Sequence, residues 1–243
     1  LRQRFVFGAV DTPANTITIA TGLNAVRGEA VWHYLSDWTG AELAAHVTAA
    51  YSLGEAPVSF RVNWDSYGTG ANEIWNVKPA RSASAVPTRT QIKSALNNGI
   101  TPVGTIGSRA TYIVMRATTR SLNGATADYR IRDAHKVTVC DRYADDLSTK
   151  VGALMREKTI GNDPAVGAKP PGPTVLTPRV VKAAVDRLTR DYSELDLVQN
   201  VESIVANTVV IREASPTTRM SARVPLQPVD LVHQVGVLVE QVA

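Results

Sequence analysis

The sequence predicts two folded parts in succession. The first is an α/β domain over residues 1–122, a mixed sheet flanked by helices in layers; the second is an α+β domain over 126–243. Three observations predict this. Strand-like and helix-like runs alternate from Arg4 to Tyr51, the pattern of α/β layers. A turn, Ser121-Leu122-Asn123-Gly124-Ala125, then interrupts the chain. Beyond it stand a long helical stripe, a second helix and three alternating runs. With 44% of 243 residues apolar, both cores can be filled, and with only 6% aromatic residues Val, Ala, Leu and Ile must fill them.

Arg4 to Val10 reads as a buried strand and opens the alternation. Asp11-Thr12-Pro13 starts a helix, because proline suits the first helical position, and the helix is expected to run through Val26 against the resistance of β-branched Thr16, Ile17, Thr18 and Ile19. Ala30 to Leu35 is a second strand. Thr39-Gly40-Ala41-Glu42 forms a capping box before a helix whose inner face is Leu43, Val47, Ala50 and Tyr51. Residues 55–88, with Trp64, Trp75 and a Ser/Ala/Pro run, predict irregular connections and short strands. From Gln91, with Thr90 as cap, a short helix carries Ile92, Ala95 and Leu96 on one face, and Asn97-Asn98-Gly99 stops it. Ile100 to Val103 is extended, Gly104 and Gly107 mark a turn, and Thr111 to Thr118 is a β-branched strand.

In the second domain, Asp128 to Asp133 leads into a helix with Val137, Cys140, Ala144, Leu147, Val151 and Leu154 on one stripe. Ile160 to Thr177, centred on Pro170-Pro171-Gly172-Pro173, is a loop. Pro178 begins a helix with Val181, Ala184, Val185 and Leu188 inward. Ile204–Glu213, Met220–Leu226 and Val232–Val242 read as closing strands.

Two short phrases, Leu96-Asn97-Asn98-Gly99-Ile100-Thr101-Pro102 and Arg116-Ala117-Thr118-Thr119-Arg120, are joined by a turn and a strand. That order resembles the contractile phage tail sheath family, of the Mu-like, subtilisin-like kind, over its C-terminal half. Glu42-Leu43-Ala44-Ala45 at a helix start, Thr177-Pro178, Val198–Val201, Ile211-Arg212-Glu213 and Pro216-Thr217-Thr218-Arg219 also resemble it. The resemblance covers most of the chain, strongly from residue 90 and weakly over 55–88, and makes the second part the family's C-terminal domain. The family's N-terminal arm and leading strands are missing, and Leu1 opens directly in a strand-like run, as expected of part of a longer polypeptide. The resemblance implies a structural subunit with no catalysis and no cofactor, which stacks in six-membered rings around a tail tube. Contraction then drives the tube through a host envelope. Implied partners are further copies of the chain, the tail tube protein, and baseplate and tail terminator proteins. The implied place is the virion tail, with assembly in the host cytoplasm.

Enzyme readings fare poorly on the residues themselves. A serine hydrolase of subtilisin-like fold needs Asp, His and Ser within hydrogen-bond reach. Here His33, His46, His135 and His233 stand singly, and Ser108 lies in a turn before a strand, where no nucleophile elbow forms. Gly68-x-Gly70 lacks the third glycine of a dinucleotide site. No metal site is expected: no Cys/His group has zinc spacing, and Asp145 and Asp146 diverge on a helix. The lone Cys140 falls on the apolar stripe and makes no internal disulfide. No apolar run reaches the roughly 18 residues of a membrane span, so no direct membrane insertion is expected.

Net charge is +4 and pI about 9.3, which permits an acidic partner without requiring one. A basic nucleic-acid-binding module would interleave aromatics with Arg and Lys on one face, but the basic helix has only Tyr192, so no nucleic-acid partner is expected. That helix carries Arg179, Lys182, Arg187 and Arg190, the candidate contact to an acidic tube. Val235, Val237 and Val239 form an alternating apolar run near the chain end, a candidate strand for pairing with a neighbouring subunit.

Overall fold

The computed structural model describes residues 4–54, 77, 80–106 and 110–229. They form two compact units, one up to residue 138 and one from 139. The architecture is mixed α/β, with six α-helices and several small sheets among the described residues. The Ser121–Ala125 turn, expected between domains, lies within the first unit.

The first unit holds a four-stranded sheet in the order β1 (Phe5–Ala9), β2 (Gly28–Trp32), β3 (Ile100–Ile106), β4 (Ala110–Ile113). The first three strands are parallel and β4 is antiparallel. Helix α1 (Pro13–Leu23) joins β1 to β2, with Thr12 accepting the Asn15 N–H as cap. It stops short of Val26, at Asn24 in the left-handed conformation. In α2 (Gly40–Gly54) the Thr39–Glu42 capping box forms reciprocally, as the sequence predicts. Leu43, Val47 and Tyr51 of α2 pack on Val31, Val103 and Ile113 at one sheet face. Ala20 of α1 and Ala95 of α3 (Arg89–Asn97) pack with Ala30, Trp32 and Ile100 at the other. Each fully buried Val or Leu here contributes roughly 1.5–3 kcal/mol.

The cap of α3 is Thr88 and not Thr90, because Thr88 stands three residues before Gln91 and the two complete a capping box. Gly104 sits inside β3 and is not a turn residue. β4 ends at Ile113, well short of Thr118; from Val114 to Thr118 the pairing is an isolated bridge between Ala117 and Asp133.

The polar residues of the second phrase explain that break. Thr119 donates its hydroxyl to the Ala25 carbonyl and accepts the Ala25 N–H. Thr118 donates to the Ile131 carbonyl, and Thr101 and Ala117 exchange two bonds. Arg116 turns inward to a buried ion pair with Glu29 of β2, its Nε donating to Oε2 at 3.2 Å. Its guanidinium also lies 3.6 Å from the centre of the Tyr51 ring. Gly99, at φ 72°, meets this segment: a Cβ there would stand 2.6 Å from the Thr118 carbonyl oxygen. The two phrases are thus one packed contact.

After the hairpin β5 (Leu122–Asn123) and β6 (Thr126–Ala127), helix α4 (Ala134–Met155) carries the expected stripe. In the second unit, Leu147, Val151 and Leu154 of α4 pack on Leu176, Val181 and Val185. β7 (Thr159–Ile160) and β8 (Val175–Leu176) pair in parallel and close the base of the proline-rich loop. Residues 162–174 of that loop are exposed. α5 (Pro178–Glu194) follows. The run from Ile204 is not all strand: α6 (Val201–Asn207) precedes β9 (Val209–Arg212), which pairs antiparallel with β10 (Met220–Arg223).

Candidate functional site: the charged face of α5

α5 starts at Pro178 as expected, but its cap residue Thr177 makes no side-chain bond. Asp163, from the proline-rich loop, instead accepts the Arg179 backbone N–H at 3.1 Å. Val181, Val185, Leu188, Thr189 and Tyr192 are buried, which fixes the opposite face outward. Tyr143 and Tyr192 meet edge to face at 5.1 Å, and the Tyr143 hydroxyl lies 2.8 Å from that of Thr189. Tyr192 donates to Asp146 at 2.7 Å, so Asp146 anchors α5 as well as meeting solvent. Burial, and then that hydrogen bond, push the Tyr192 phenol well above its ordinary range.

The structure divides the four basic residues into two pairs. Lys182 is half-buried; its ammonium donates to Asp186 at 3.0 and 3.1 Å and to the Val205 carbonyl of α6 at 2.8 Å. Arg190 forms a two-pronged bond to Glu202 of α6, at 2.6 and 3.3 Å. These two side chains clamp α6 onto α5. Arg179 and Arg187 are exposed, and neither makes an ion pair with a described residue. At 100° per residue, Arg179, Arg190 and Arg187 lie within an arc of about 80° on the outer face. The sequence places all four on one helix but hides the clamp, because the run from Ile204 reads as strand.

Other expected residues lie elsewhere. Val235, Val237 and Val239, with Ser108 and His233, fall outside the described residues. His33 is buried, His46 rests on the Trp38 ring at 4.5 Å, and the His135 N–H caps onto Asp133 at the start of α4. Among the described residues no group of three His, Cys, Asp or Glu could hold a metal ion, and no helix is long and apolar enough to cross a membrane. α4 and the β9–β10 pair border an apolar groove of about 390 Å³ that includes Leu147, Val151 and Met220.

No family model matches the chain, and no curated protein matches it in sequence. Solved structures do. A sheath tail protein from Desulfitobacterium hafniense superposes with a TM-score of 0.59 at 14% identity, over 95% of this chain and 46% of its own. A chain of the anti-feeding prophage baseplate gives 0.59 at 11%, over 99% and 60%. A sheath tail protein from Listeria innocua gives 0.55 at 11%, over 94% and 54%. The chain therefore spans about half the length of the sheath proteins that it matches. At these identities the likeness establishes a fold, and the fold is that of tail sheath proteins.

Proposed function

We propose that the chain is a structural subunit of a contractile tail sheath. Such subunits polymerise as stacked six-membered rings around a tail tube and contract to drive the tube through a host envelope. The observation that carries this reading is the fold itself, shared over 95% of the chain with a sheath tail protein. The packing of Gly99 against Thr118 and Thr119, the two phrases that carry the resemblance, supports it. The partners are further copies of the chain, the tube protein, and the baseplate and terminator proteins at the ends. The place is the virion tail after assembly in the host cytoplasm.

Arg179 and Arg187 are the cations best placed to meet an acidic tube, because Lys182 and Arg190 are engaged within the unit. A contact built on exposed charge can be released without unpicking an apolar interface, as contraction requires. The Val235–Val239 run is proposed to pair with a neighbour's sheet. In support, among the described residues β9 and β10 pair only with each other, and a two-stranded sheet offers edges to an added strand. Negative-stain images of the protein expressed alone test the reading. Tubular polymers are expected, and a uniform small particle would overturn it.

A further inference from the structure

His33 extends β2 by one residue, its backbone N–H donating to the Ala9 carbonyl at 2.9 Å. Alternation puts its side chain on the same sheet face as Glu29 and Val31, the face covered by Leu43, Val47 and Tyr51 of α2. The side chain is wholly buried, and neither imidazole nitrogen has a hydrogen-bond partner. We propose that His33 is an acid-operated release for α2: protonating its imidazole places an uncompensated cation between sheet and helix and loosens the helix from the sheet.

The charged groups around this face are already committed. Asp37, the carboxylate that attracts His33 among the described residues, is held by Arg81 at 2.6 Å. Glu29 is held by Arg116. On α2, Glu42 is turned onto the Thr39 cap and His46 onto Trp38. Val6 of β1, Val10 just past its end and Val103 of β3 belong to this cluster. A protonated imidazole has two donors and no acceptor, and here neither finds one.

Burial holds His33 neutral down to a pKa of about 4, against the pull of Asp37, while its ordinary value is 6.5. The opened state therefore takes up the proton first. Stability is whole above pH 6.5, falls as pH drops toward 4, and levels off below. Over that window the closed-to-open ratio falls roughly 10²–10³-fold. This inference is independent of the sheath reading.

Amide hydrogen exchange of the whole chain, corrected for intrinsic rates, tests it at pH 6.5 and 4. Leu43–Tyr51 should lose protection by that factor, while Val181–Tyr192 of α5 should not. His33→Met should abolish the difference. Equal protection of α2 at both pH values, or a loss that persists in H33M, would overturn the proposal. Hydrogen exchange at the imidazole carbon of wild-type His33 keeps the test open if H33M does not fold. A midpoint near 4 supports the proposal, and one near 6.5 sinks it.

Discussion

At the scale of single residues, the described first unit depends on a pair that strand and helix periodicity cannot see. Arg116 reads as an ordinary member of the Thr111–Thr118 strand and Glu29 stands just before the Ala30 strand, because a local pattern cannot show that two residues 87 apart will pair in a core. Burial opposes the Arg116 charge, but Glu29 beside it keeps the proton on and the pKa up. Removing one partner takes away the other's nearest counter-charge: Glu29 keeps Arg4 at 3.9 Å, and Arg116 keeps the Tyr51 ring. Arg116→Met or Glu29→Met alone should therefore lose about 3–5 kcal/mol in urea unfolding, and the E29M/R116M double variant should recover much of it. Additive losses would show that the two do not act as a pair. Gly99 was legible as a helix stop, whereas its second duty, close contact with Thr118, needed coordinates. Gly99→Ala should lose about 2 kcal/mol or more, from left-handed backbone plus the clash. Gly124→Ala is the control, since Gly124 is also left-handed, at φ 62°, but has open space around it. Equal losses at both positions would remove the clash from the account.

At the scale of elements, periodicity found the long helices because their apolar faces repeat over several turns. α2, α4 and α5 stand where their stripes predicted. It failed at α6, where seven residues give too few repeats and Ile204, Val205, Val209 and Val210 read as one β-branched run. Asn200, left-handed at φ 57°, starts the helix, and the strand begins only after Thr208. The misreading matters for the candidate site. With α6 in place, Lys182 and Arg190 hold helix to helix, so reversing them changes the fold's own contacts as well as any partner's. Arg190→Glu should speed amide exchange in Val201–Asn207 through like charge against Glu202. Arg179→Glu with Arg187→Glu should leave that exchange unchanged and move the melting temperature by no more than ~2 °C. The same double reversal should weaken sheath assembly on tubes, and added salt should weaken the wild type in the same direction. Tube binding that survives R179E/R187E moves the contact to another basic face.

At the scale of the whole molecule, the proposed sheath role requires a subunit to stay joined to its neighbours while a lattice changes shape. Main-chain hydrogen bonds between strands suit this, because they are strong along the strand yet leave the angle between whole domains free. The terminal sequence fits such a joint. Val235, Val237 and Val239 alternate in the sequence, and only Glu240 interrupts the run. Paired as proposed, such a run would be a self-association strand of the kind that monomers blunt with charge or proline, and its sequence has little of either. The described core of the second unit, made by α4, α5, β8 and the segment from β9 to Val224, lies at or before residue 224. Deletion of residues 236–243 should therefore leave a folded, soluble protein whose circular dichroism and melting match the parent. It should also abolish tubular polymers in the negative-stain assay. Polymers that persist after the deletion would mean the subunits are joined by other contacts. A chain that no longer folds would mean the terminal strand completes its own subunit, and the exchange joint would have to be sought elsewhere.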